Sequence, residues 1–205
     1  MSRTSRYVTI GAIAALGLTG AERTASADQR PLTITLSVRD TAQVPDDVLA
    51  RAQLEATKIY RQAGIQTVWL PPSSPLGDTG PDCARFIIAI LSRDQAPLLN
   101  PALTRGSVGV ALSSPTKRGH IAYVFYRRVQ DLTGGNGLNL APVLGIAMAH
   151  EIGHLLLPQK AHSQTGLMRS SWTKADLRLA QRSQLFFTAR HGELIRSRLS
   201  KHCEQ

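Results

Sequence analysis

The sequence predicts a mixed α/β (α+β) domain, with strands and helices interleaved in its first half and helices alone at its end. Three observations support this: a strand-helix-strand order near the start, one continuous apolar segment typical of a central strand, and helical patterns beyond position 140. A chain of 205 residues, 42% of them hydrophobic, fits one domain with a substantial core. The sequence contains no internal repeat.

The first elements predict a β-α-β unit. Apolar residues at positions 32, 34, 36 and 38 alternate with polar ones, the pattern of a half-buried strand. Asp46 and Asp47 then open a helix, whose apolar residues recur with helical spacing as far as Gly64, a natural terminator. Residues 65–70 resume as a strand.

The middle of the chain predicts three further strands. Residues 71–81 are a surface loop rich in Pro, Gly and Ser, and residues 85–91 are an apolar run typical of a central strand. After a second loop to about Gly106, residues 108–112 and 120–127 have strand character, and their short link favours antiparallel pairing.

The end of the chain predicts a small helical part. A loop from about 158 to 171 leads to helical patterns at residues 173–188 and 192–199. Thr173 is positioned to cap the first of these helices, with Asp176 in its opening turn.

The N-terminus has the pattern of a secretory signal peptide. Arg3 and Arg6 precede an uncharged stretch, and Ala25-Ser26-Ala27 provides an A-x-A cleavage site. We therefore expect residues 1–27 to be a signal peptide, residues 28–205 to be one domain, and the protein to be secreted or periplasmic. The strictly apolar part is short, so we expect no stable membrane span; an uncleaved anchor is the alternative.

The chain is strongly basic, with a formal net charge of +10. Without residues 1–27 the charge is still about +8, since that segment holds three arginines and one glutamate. Such a charge suggests contact with anionic cell surfaces or acidic substrates, although solvated helix faces are the simpler explanation. Export and the scarcity of aromatic residues argue against a nucleic-acid partner.

Cys83 and Cys203 are the only two cysteines. In an exported chain, an even pair predicts one disulfide, which would join the C-terminal tail to the loop before the central strand. Two free thiols are the alternative. We expect neither cysteine to bind metal, because the two are far apart in sequence and share no close-spaced motif.

His150, Glu151 and His154 form an H-E-x-x-H motif within an apolar segment that Pro158 ends. In a helix, residues four apart lie on the same face, so both imidazoles can bind one metal ion. Glu151 beside them can act as a general base towards an attacking water. The alternative is a chance match in a structural helix, but burying two His and a Glu without a partner costs several kcal/mol.

A catalytic zinc site needs a third protein ligand and one open position. His162 follows the helix and could fold back to the metal through a short loop. Glu193 is an alternative if a second helix supplies it, and His191 is a further one. His120 and His202 are better explained as strand or surface histidines.

Beyond the helix, His162-Ser163 and Gly166-Leu167-Met168 complete a pattern that resembles the metzincin clan of zinc metalloproteases. The resemblance covers residues 150–168 in motif, and most of residues 28–205 in element order. The spacing differs from the usual form. His162 lies eight residues after His154 rather than six, Leu157 occupies the usual glycine position, and Ser170 stands where a tyrosine often follows.

The resemblance implies a zincin-like fold: a mixed twisted sheet with a backing helix and an active-site helix, followed by a small helical subdomain. Its upper part would span about 31–157 and its lower part about 158–205. The resemblance further implies Zn²⁺ held by His150, His154 and His162, with Glu151 as general base and Met168 beneath the metal. An edge strand at 108–112 would pair with extended substrate.

We therefore expect a secreted zinc metalloendopeptidase that acts on peptides or proteins. Two alternatives stay open: a zinc-binding or cell-surface binding module that has lost catalysis, and a metallohydrolase acting on cell-wall peptides.

Overall fold

The computed structural model describes residues 31–71, 84–92, 94–95, 106–113, 120–135, 137–158 and 161–203, which belong to one compact unit, Pro31–Gln205. The strands are β1 (Thr33–Asp40), β2 (Gln66–Trp69), β3 (Ala84–Leu91), β4 (Gly109–Ser113) and β5 (His120–Phe125). The helices are α1 (Asp46–Gln62), α2 (Tyr126–Gly134), α3 (Leu140–Leu156), α4 (Lys174–Gln181) and α5 (Ala189–Cys203). The predicted mixed α/β class is confirmed.

The strands form one mixed sheet in the order β2-β1-β3-β5-β4. β1 runs parallel to both β2 and β3, and β3 runs parallel to β5, whereas β4 is antiparallel to β5. The predicted β-α-β start, the central position of β3 and the antiparallel pairing of β4 with β5 are all confirmed. β4 is therefore the last strand of the sheet, next to the helix that carries the histidine motif.

Helices α1 and α3 pack closely against each other and cover the sheet. A side chain at Gly145 would come within 2.7 Å of the Ala52 carbonyl oxygen and the Glu55 Cβ, so only glycine permits this approach. The Tyr60 hydroxyl donates a 3.0 Å hydrogen bond to the Ala149 carbonyl oxygen. Because Ala149 precedes the first motif histidine, this bond ties the site to the fully buried core around Tyr60.

Two expectations about the sheet are wrong. β1 is not half-buried, since Thr35 and Ser37 on its polar face are as buried as its apolar residues. The last predicted strand ends at Phe125 rather than at residue 127, and the chain continues as α2. The helical spacing of Tyr126, Val129 and Thr133, all buried, was a signal for this helix in the sequence.

The helical end of the chain differs in its boundaries. The helix expected at 173–188 stops at Gln181, because Ser183 has a left-handed φ of 53° that a helix cannot include. Leu185 then turns into the core instead of continuing the helix. The last helix spans Ala189–Cys203, longer at both ends than predicted. The capping of α4 by Thr173 and Asp176 is confirmed, with each side chain bonded to the backbone of the other.

Three expectations fall partly or wholly outside the described residues. These are the signal peptide at 1–27, the loop at 71–81 except for Pro71, and the pairing of Cys83 with Cys203. They remain predictions. Within the described part of the chain, no helix combines the length and apolar character required to cross a bilayer.

Candidate metal centre

Helix α3 places His150 and His154 on the same face, as their spacing predicts. Their Nε2 atoms lie 3.0 Å apart, and their rings meet edge to face with centroids separated by 4.7 Å. The apolar residues around them bury this part of the helix nearly all round. The two imidazoles therefore converge on one side of a helix that is otherwise largely buried.

His162 joins them from the segment after α3. Its ring stacks on that of His150 at 5.7 Å and meets that of His154 edge to face at 4.8 Å. A short turn holds this segment in place, because the Ser163 backbone N–H donates to the Met168 carbonyl oxygen at 2.9 Å. The turn thus returns His162 to the motif helix, although His162 lies eight residues after His154 rather than the usual six.

The three histidines lie close enough to bind one metal ion, with their ligand nitrogens all within 4.8 Å of one another. In a tetrahedral site, metal–nitrogen bonds of about 2.0–2.1 Å place the donors roughly 3.3 Å apart. The observed separations bracket that value. Three imidazoles with an open side fit a catalytic metal centre better than a closed structural one.

The Leu167 carbonyl oxygen fixes the orientation of His150. It accepts a 2.9 Å hydrogen bond from His150 Nδ1 and a second, of 3.0 Å, from Trp172 Nε1. Since the carbonyl only accepts, Nδ1 carries the proton and Nε2 is left free to bind metal. The Trp172 ring also stands edge-on to the His150 ring at 5.4 Å.

Burial keeps the motif histidines neutral. Desolvation lowers the pKa of His150 from 6.5 to about 4, although its bond to Leu167 opposes the shift, and the nearby His162 lowers it further. Desolvation, followed by the neighbouring His150 and His162, lowers the pKa of His154 to about 3. Both rings are therefore unprotonated at neutral pH, the form that binds metal.

Glu151 lies in the same cavity, packed against strand β4. It is 3% exposed, and burial raises the pKa of its carboxyl from 4.5 to about 8. A Cβ at Gly109 would lie 2.6 Å from the Glu151 Cγ and 2.5 Å from the Tyr123 carbonyl oxygen. Gly109 therefore leaves the space that this side chain occupies. A carboxyl with a pKa of about 8, beside three imidazoles, is able to exchange protons near neutral pH.

Met168 is completely buried beneath α3, directly after the residue whose carbonyl binds His150. A Cβ at Gly153 would lie 2.8 Å from the Met168 sulfur and 3.0 Å from the Phe187 ring. Gly153 thus allows the turn to pack directly under the helix. The position agrees with a supporting role for Met168, which stays an expectation as far as the metal itself is concerned.

A cavity of about 500 Å³ surrounds the three histidines. Residues 106–111, which include the start of β4, line this cavity together with the segment Arg169–Trp172. Glu151 lines it as well.

The other candidate ligands do not reach this centre. Glu193 is exposed on α5 and lines a different cavity, with Phe186 and Arg196. His191 is buried, and within the described residues its Nδ1 has no hydrogen-bond partner, but it is not part of the histidine cluster. The side chains of His120 and His202 are outside the described set. Of the candidate third ligands whose side chains are described, only His162 lies beside His150 and His154.

Sequence reasoning missed Trp172 and the Leu167 carbonyl. Neither carries a signal in the sequence, since a backbone carbonyl has no residue type and a single Trp in a loop has no spacing to interpret. Only the fold shows that both meet His150.

Comparison with known proteins finds no family model that matches this chain and no curated protein that is similar to it in sequence.

Proposed function

We propose that this protein is a zinc-dependent metallopeptidase that acts outside the cytoplasm, with His150, His154 and His162 as metal ligands and Glu151 as general base. The observation that supports it most is the convergence of three histidine rings beside a buried carboxyl, inside one open cavity. The signal-peptide pattern of residues 1–27 supports the location.

Zinc is the metal that suits this donor set best, because three imidazole ligands with an open position are typical of its catalytic sites. When bound, it would polarise a peptide carbonyl and lower the pKa of water. Glu151 would then take a proton from the attacking water and pass it to the leaving amine. Burial raises the pKa of the metal-free carboxyl and favours the protonated form, which can hand a proton to the leaving amine. A cation bound by the histidines would lower that pKa and favour the ionised form, which accepts a proton from water.

Strand β4 supports an extended peptide as the substrate. Among the described strands it is the last of the sheet, and its residues Gly109, Val110 and Ala111 line the cavity that contains Glu151. A peptide laid along such an edge can add main-chain hydrogen bonds to the sheet, a general mode of peptide recognition. Its scissile bond would then lie over the histidines.

The direct test replaces Glu151 by Gln, with Glu193→Gln as the matched control. Glu151→Gln should keep stoichiometric zinc and lose at least about 100-fold in peptide hydrolysis, the scale of general-base catalysis. Glu193→Gln should retain both. Full activity in Glu151→Gln would refute the mechanism. Zinc binding by the native chain without hydrolysis of any peptide would favour the binding-module alternative.

The third ligand is tested separately by zinc stoichiometry. We expect His162→Ala to lower zinc affinity strongly and Glu193→Ala to leave it unchanged. The reverse pattern would assign the site to Glu193. Parallel assays on soluble peptides and on peptidoglycan fragments would distinguish general peptidase activity from cell-wall hydrolysis.

A further inference from the structure

Arg169 is one of the residues that line the cavity around the three histidines. Its backbone pairs with that of Ser163, the residue after the third histidine. Among the described residues that line this cavity, Arg169 is the only lysine or arginine, and Glu151 is the only carboxylate. Glu151 is buried against Gly109 of β4, whereas the Arg169 side chain is partly exposed. The guanidinium therefore brings a positive charge to the cavity that holds the histidines.

Among the described residues, the Arg169 side chain is anchored only through Nε. Nε donates to the Ser171 carbonyl oxygen at 3.3 Å and lies 3.4 Å from Asp176 Oδ2. That same Asp176 oxygen already accepts two shorter bonds from Thr173, of 2.8 Å from the backbone N–H and 2.7 Å from the hydroxyl. Asp176 is thus engaged mainly in capping α4, and its contact with Arg169 orients the guanidinium without enclosing it.

The outer end of the guanidinium remains available. Within the described part of the chain, no acceptor is bonded to the two Nη atoms of Arg169, and its side chain is 32% exposed. Two parallel Nη–H groups match the two oxygens of a carboxylate, and such paired contacts are both strong and directional. Fixing the guanidinium at Nε reduces the entropy lost when a carboxylate binds.

We infer that Arg169 is a specificity-determining residue, which binds a substrate carboxylate beside the metal centre. The carboxylate would come from an acidic side chain near the scissile bond or from a free peptide C-terminus. This inference rests on the proposed peptidase function for its biological meaning, but carboxylate binding in the cavity is measurable without turnover.

The test measures binding of matched peptides to the zinc-loaded Glu151→Gln protein, with and without Arg169→Gln. The peptides differ only in Glu against Gln at successive positions, and a second set differs in a free against an amidated C-terminus. We expect one pair to show about tenfold or greater preference for the carboxylate, and Arg169→Gln to bring that preference close to one. Arg178→Gln, an exposed arginine on α4, is the matched control and should retain the preference.

The ratio within each pair separates recognition from structural damage and from direct binding of a carboxylate to zinc. Loosening of the turn would weaken both members of a pair, and zinc would attract a carboxylate equally in the Arg169→Gln protein. An unchanged ratio in that variant, or no preference at any position, would overturn the inference. Hydrolysis by the native chain is scored independently. Failure to cut any peptide would refute the proposed function, while the binding ratios still decide the role of Arg169.

Discussion

His150 Nδ1 donates a 2.9 Å hydrogen bond to the carbonyl oxygen of Leu167, seventeen residues further along the chain. This bond joins the motif helix to the turn that carries Met168. It selects the tautomer of the first candidate ligand and aims Nε2 at the centre of the histidine cluster. The orientation of a ligand thus depends on a backbone atom of another segment.

Trp172 shares that carbonyl, so removing its indole N–H should disturb the centre. We expect Trp172→Phe to weaken zinc binding by up to about tenfold, the lower end of the effects seen for outer-shell groups, because the Leu167 carbonyl loses one of its two donors. Competition with a chelator of known affinity measures this. Trp69→Phe removes the hydrogen bond that the Trp69 indole, in β2, donates to the hydroxyl of Thr57 in α1, and it should leave zinc affinity unchanged. Equal affinities in both variants would show that Trp172 has no positioning role.

Gly109 makes room for Glu151, so a methyl group there should disturb the carboxyl more than the metal. Gly109→Ala should lower peptide hydrolysis strongly and destabilise the domain by about 1–3 kcal/mol, since the added atom overlaps the Tyr123 carbonyl oxygen and Glu151. Peptide hydrolysis and urea unfolding measure these two effects. Zinc content measures the smaller effect on the metal site. Gly134→Ala, where a Cβ meets no atom within 4 Å, is the control. Full activity in Gly109→Ala would contradict this packing.

A side chain at Gly153 should destabilise the domain, because it would contact residues that pack against α3. Gly153→Ala would press on the Met168 sulfur and the Phe187 ring, so we expect a loss of about 1–3 kcal/mol in unfolding free energy. Met168→Leu, which conserves volume, should cost less than about 1.5 kcal/mol. Denaturant unfolding of the metal-free forms checks both. A more stable Gly153→Ala would mean that the turn does not pack against this face of α3.

The metal-free domain should be most stable near pH 6.5. His150 and His154 have pKa values of about 4 and 3 when folded, so below pH 6.5 the unfolded chain binds more protons and stability falls with decreasing pH. Glu151 has a pKa of about 8, so between pH 4.5 and 8 the folded state holds a proton that the unfolded chain has lost. Its contribution therefore falls as pH rises.

Below pH 6.5 the stability lost through the two histidines exceeds the stability gained through Glu151. Between pH 6.5 and 8 the contribution of Glu151 dominates, so stability falls as pH rises. Urea unfolding midpoints of the chelator-treated protein, measured across pH 4 to 8, check the profile. Glu151→Gln should abolish the decline above pH 6.5 and keep the one below it. A decline that persists in this variant would assign it to another group.

The parts of the fold that sequence predicted best are those with a strong local period or terminator. Gly64 does adopt the left-handed conformation that ends α1, with φ of 77°, and the apolar run at 85–91 does form the central strand. The two wrongly predicted element ends have a common cause. β5 ends where Tyr126 begins a helix, and α4 ends before Ser183. In both places contacts with the core outweigh the local sequence pattern, which indicates the change only weakly.

The sequence by itself determined that His150 and His154 share a helix face, because a spacing of four residues fixes their relative direction in any α-helix. It also limited the third ligand to a few candidates. Only the tertiary structure shows that His162 lies beside the two motif histidines, while Glu193 lines a different cavity. The tertiary structure also decided the burial of Glu151, the partial exposure of the Arg169 side chain and the carbonyl that Trp172 shares with His150. All three depend on contacts between segments distant in the chain, and no local spacing encodes them.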